Sequence, residues 1–70
     1  MNKKWEYATL EWLWDSHSIT YHLPNGSEEK TTGSYAEVVK TLSELGVQGW
    51  EVATCAAQGN WLFWTLKREI

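Results

Sequence analysis

The sequence predicts an α+β fold: a single helix packed on a mainly antiparallel sheet of about four strands, in the order β-β-α-β-β. Two observations carry this. Residues 34–51, SYAEVVKTLSELGVQGWE, have the periodicity and end signals of one helix. On each side lies a pair of segments with alternating side chains, joined by turn residues. Seventy residues bound the chain to one small domain spanning 1–70.

The first strand is expected over Trp5 to Trp14. Trp5, Tyr7, Thr9, Glu11 and Leu13 share one face; Glu6, Ala8, Leu10, Trp12 and Trp14 share the other. Asp15-Ser16-His17 is a turn, and Ser18 to Leu23 returns as the second strand of a hairpin. Pro24-Asn25-Gly26-Ser27 is a turn signal, with Asn-Gly suited to type I′. Glu28 to Thr32 is polar and marginal, a short piece able to return against the second strand, and it is not counted among the four.

Ser34 and Glu37 form a capping box at the helix start. Tyr35, Val38, Val39, Leu42 and Leu45 make one apolar stripe. Gly46 is expected at the left-handed stop, with Val47 folding back onto Leu42, and Gly49 makes a second bend. A third strand runs from Trp50 to Ala57, Gln58-Gly59-Asn60 turns, and Trp61 to Arg68 is the last strand. Large apolar groups occupy both faces of that strand, so both faces need cover. The helix covers one. The other is expected to meet another subunit or a ligand.

A chain this short buries only about 60% of the surface that it exposes unfolded, so a partner subunit is the expected staple. The single Cys55 excludes an internal disulfide, and with His17 and His22 it makes a structural zinc site implausible. Six tryptophans, three tyrosines and a phenylalanine are too many large rings to hide in one small core. The net charge of −3 and the scattered Lys and Arg argue against a duplex nucleic-acid partner. No apolar run approaches the roughly 18 residues of a membrane span. The opening MNKKWEYATLEW has no apolar core of a secretory signal, and a lone cysteine suits a reducing cytoplasm.

Three motifs resemble a known family. Trp5-Glu6-Tyr7, Glu44-Leu45-Gly46-Val47-Gln48-Gly49-Trp50-Glu51 and Trp64-Thr65-Leu66-Lys67-Arg68 are similar to the opening strand, helix end and closing strand of the small DUF4177-type domains of bacteria and their phages. The match covers about half the chain. It implies a small α+β domain and leaves function open, because the family is largely uncharacterised. Similar small α+β scaffolds occur among phage proteins that sequester host cyclic-nucleotide signals, a likeness of fold alone.

No residue set asks for catalysis. Cys55 lies mid-strand among small residues, where a packed thiol is the plain reading. Glu6 and Glu51 are placed to pair with Lys67 or Arg68 across the sheet. The aromatic set is the unusual feature. Trp12, Trp14 and Trp64, sharing a face with Leu62 and Leu66, form a candidate interface or ligand surface, with Asn60, Thr65, Lys67 and Arg68 as polar contacts. A homo-oligomer interface, first of all a dimer, ranks ahead of a stacking pocket for a planar nucleotide-like molecule, and that ahead of a groove for a partner protein. The expectation is a non-enzymatic, cytoplasmic binding protein with no cofactor, no metal and no membrane or duplex partner. It sequesters a nucleotide-like small molecule at a subunit interface or, alternatively, serves as a protein-interaction scaffold.

Overall fold

Alternation and turn chemistry resolve into five strands and one helix in a computed structural model that describes residues 3–70. The elements are β1 (Trp5–Leu13), β2 (Ser18–His22), β3 (Glu28–Thr32), α1 (Tyr35–Val47), β4 (Glu51–Gln58) and β5 (Trp61–Glu69). The fold is α+β as expected, but the sheet has five strands rather than about four, and the chain order is β-β-β-α-β-β. The extra strand is the polar segment 28–32. It pairs with β2 from Ser18↔Thr32 to His22↔Glu28, and its backbone is fixed by that ladder with no buried side chain of its own.

The spatial order is β3-β2-β1-β5-β4, antiparallel throughout. The long β1–β5 ladder, Trp5↔Glu69 to Leu13↔Trp61, joins the two ends of the chain. Opposed residues in a ladder share a face. One face therefore carries Ala8, Leu10, Trp12, Ile19 and Leu66, and these are the buried sheet residues of the core. Val38 and Leu45 of α1, with Trp50, complete that cluster. The helix thus covers the face that bears Trp12. Burial raises the Tyr21 phenol above its ordinary value, and the carboxylates of Glu29 and Glu44 push the same way. Glu37, Lys40, Thr41 and Glu44 of α1 line one hollow with Tyr21 and Thr31, so α1 lies over β2 and leaves β4 uncovered, with all eight of its residues exposed.

Both helix ends differ in detail from expectation. Ser34 is the N-cap, but its hydroxyl donates to the Glu37 carboxylate at 3.3 Å instead of accepting a backbone N–H. At the other end Gly46 remains inside the helix, and the left-handed residue is Gly49, at φ +97°. The Trp50 N–H donates to the Leu45 carbonyl and the Gly49 N–H to the Gly46 carbonyl, at 3.1 and 2.9 Å. This is a Schellman cap, and its apolar contact pairs Trp50 with Leu45, both buried. Val47 does not fold back and is 89% exposed.

The two glycines should answer substitution oppositely. A Cβ on Gly46 meets no atom within 4 Å, so Gly46→Ala is expected to raise stability by about 0.5–1 kcal/mol. A Cβ on Gly49 lies 3.2 Å from Arg68 Cδ in a backbone conformation that alanine resists, so Gly49→Ala is expected to cost about 1–2 kcal/mol. Urea midpoints read both. Equal shifts would place the helix end elsewhere.

The β2–β3 turn also departs from type I′. Gly26 alone among its residues has positive φ, at +89°, while the Gly26 N–H donates to Leu23 O and the Leu23 N–H to Ser27 O. Pro24 presets the first central position of an ordinary turn, and Gly26 closes it as a bulge.

Candidate aromatic binding site

The first strand runs one residue past its ladder, and there the Trp14 N–H donates to the Asn60 carbonyl at 2.8 Å. This bond brings the β1–β2 turn against the β4–β5 turn. The start of α1 arrives at the same end through Gly33, whose carbonyl accepts the Trp12 Nε1–H at 3.0 Å. Three chain segments therefore converge around one pair of tryptophans. Trp12 and Trp14 meet edge to face, with centroids 5.5 Å apart at 78°, and Tyr35 lies 4.7 Å from the Trp12 ring. His17, held in the left-handed region at φ 52°, backs Trp14 at 5.3 Å.

The result is a cleft of about 160 Å³ lined by Trp12, Trp14, Tyr35, Asn60, Trp61 and Leu62, with Gly59 at its rim. Trp12 is buried behind it, whereas Trp14 and Tyr35 stand half-exposed at its mouth. Its polar handle is the Asn60 amide, which donates to Asp15 Oδ1 at 3.2 Å. Chemically its lining offers aromatic ring faces and one amide edge, with no Lys or Arg among the described residues to hold an anion.

Four of the seven residues singled out from the sequence, Trp12, Trp14, Leu62 and Asn60, meet in this cleft. The other three do not. Leu66 is 1% exposed, closed over by the chain's own core, so it cannot serve an interface. Trp64 is half-buried on the same face and packs against that core. Arg68 lies six residues beyond Leu62, about 20 Å along the strand. It is engaged there by Glu6 at 2.7 Å, by the Gln48 carbonyl at 3.1 Å and by the Trp50 ring at 4.4 Å. Trp12 itself is core and only the back wall of the cleft, because α1 covers its face. The tryptophan-bearing face, singled out as the interface or ligand surface, is thus the one that α1 covers.

Tyr35 and Trp61 enter the cleft without having been singled out for it. Tyr35 reads as part of the buried helix stripe, yet as the first helical residue it lies over the sheet end and half out of the core. Trp61 reads as the opposite face, and its indole N–H donates to Glu11 there while the residue still borders the turn. The cross-sheet ion pairs Glu6–Arg68 and Glu51–Lys67 are both present, at 2.7 and 3.6 Å.

His22 pairs with Glu28 at 2.9 Å, His17 lies against Trp14, and Cys55 lies on exposed β4. Among the described residues no group of three or more His, Cys, Asp or Glu side chains is placed to hold a metal. No helix among them is long and apolar enough to cross a membrane. Comparison with family models, curated proteins and solved structures found no match, so the resemblance to DUF4177-type domains rests on its three motifs.

Proposed function

We propose that this protein is a non-enzymatic, self-associating binding protein that sequesters a small base-bearing molecule. The observation that supports it is the aromatic cleft at the turn end. Trp14 and Tyr35 present half-exposed ring surface against a buried Trp12, and Asn60 supplies the hydrogen-bonding edge. A flat heterocycle enters by stacking, a contribution of roughly 1–3 kcal/mol per ring. The charge of the site selects within that class. Asp15 stands behind Asn60 and no basic residue among those described lines the cleft, so the base occupies it and any phosphates face solvent.

Tryptophan fluorescence tests this directly. Nucleosides and their cyclic or linear phosphates should quench with similar affinity, and Trp14→Ala should weaken binding roughly ten- to a hundredfold while leaving the fold intact. Absence of quenching across purine and pyrimidine nucleosides and nucleotides would defeat the ligand reading. The second reading, a protein-interaction scaffold without a small-molecule ligand, is favoured by a different feature, the exposed strand β4, which carries no charge from Val52 to Gln58.

A further inference from the structure

We infer that the outer edge of β4 pairs with β4 of a second copy of this chain, in antiparallel register about a two-fold axis, to make one continuous ten-stranded sheet. This deepens the self-association in the reading above and is independent of any ligand.

The two edges of the sheet are built differently. β3, at one edge, is EEKTT, with three consecutive charged residues. Such charges block pairing with another chain. β4, at the other edge, is EVATCAAQ, and between Glu51 and Gln58 it carries none. A solvated edge strand normally needs such guards. β4 has only Glu51 and a bulge between Val52 and Thr54, and beyond the bulge Thr54 to Gln58 pairs regularly with β5.

The helix does not shield this edge. Val52 shares a sheet face with Leu66 and Cys55 with Trp64. Yet Leu66 is 1% exposed while Val52 is 49% exposed, because the buried helix residues Val38 and Leu45 face the core over β1 and β2. Val39, on the helix flank, is left 60% exposed as well. The other candidate surface, the helix-free sheet face, is partly engaged within the chain, although Tyr7 and Leu13 stay exposed on it. Lys67 lies 4.6 Å over Trp5, Trp61 stacks on Phe63 and donates to Glu11.

The strand is complementary to itself. Antiparallel neighbours must place like faces opposite each other. Setting Cys55 opposite its own copy satisfies this over the regular stretch next to the axis, beyond the bulge: Thr54 then faces Ala56 of the second copy. Glu51 falls beside Gly59 of the second copy, so no like charges meet. The two-fold axis stands perpendicular to the sheet, and both helices lie on the same side. Between them runs a trough floored by Val52, Cys55 and Ala57 from each copy.

A charge swap at the axis tests the pairing. Cys55 is exposed in the protomer, so Cys55→Lys and Cys55→Asp should each leave its circular dichroism unchanged, and its urea midpoint too when wild type and variants are compared at concentrations low enough for all to be monomeric. Wild type should sediment at twice the 8.1 kDa chain mass in the micromolar range. Each variant alone places like charges directly opposite and should weaken self-association roughly tenfold or more. An equal mixture of the two should recover the dimer. A wild-type monomer, a Cys55→Lys dimer as tight as wild type, or a mixture that stays monomeric would each overturn the proposal. Fluorescence titration of the same variants with nucleosides reads the ligand site separately, so failure of one reading is distinguishable from failure of the other.

Discussion

Replacing Trp12 with alanine is expected to unfold much of the population at room temperature. The ring is 2% exposed and is the largest fully buried side chain of the core. It contacts Trp14 on one side and Tyr35 on the other, and its Nε1–H satisfies the Gly33 carbonyl. Trp→Ala changes in cores cost about 3–5 kcal/mol, and a core this small rarely supplies more than about that in total. Trp12→Phe separates the two contributions. It keeps most of the apolar surface but leaves the Gly33 carbonyl without its donor, so its cost should be smaller, about 1–3 kcal/mol. Urea titrations followed by near-ultraviolet dichroism measure both. A Trp12→Ala variant as stable as wild type would mean that the helix start is held by something other than this indole.

That result bears on what a sequence of this kind reveals. The alternating strands and the helix stripe were legible because their signals are local, a side-chain period and a turn residue a few positions away. β3 was not, because a strand solvated on both faces has no apolar alternation to read; only its ladder with β2 makes it a strand. The helix end was ambiguous for a different reason. Gly46 and Gly49 are equally able to adopt the left-handed conformation. The choice falls to Gly49 because Trp50 then meets Leu45 in the core, a tertiary contact. The faces of β5 presented the same difficulty. Both carry large apolar groups, and which one is core depends on where α1 lands. The tryptophans were visible as a set, and four of the residues singled out with them line one cleft, but Tyr35 was hidden within a stripe that reads as wholly buried.

Arg68 is the residue whose reading the structure alters most, and Arg68→Ala is expected to destabilise the fold by about 2 kcal/mol. Two of its nitrogens reach the same Glu6 oxygen, at 2.8 Å from Nε and 2.7 Å from Nη2, while Nη1 donates to the Gln48 carbonyl at 3.1 Å. The guanidinium lies 4.4 Å over Trp50. One side chain thus ties β1, β5 and the cap of α1 together at the end opposite the aromatic cleft. Charged hydrogen bonds and a cation–π contact would sum to more, but both partners of the ion pair are about a quarter to a third exposed, and solvent discounts the total. Arg68→Lys should recover less than half of the loss, because an ammonium cannot hold Glu6, the Gln48 carbonyl and the Trp50 face at once. Urea midpoints of the two variants decide between a structural clasp and a ligand contact. If Arg68 served a ligand instead, Arg68→Ala would leave the midpoint unmoved and lower only the affinity for nucleosides. As a clasp, it moves the midpoint while Trp14 fluorescence quenching in the folded fraction stays as in wild type.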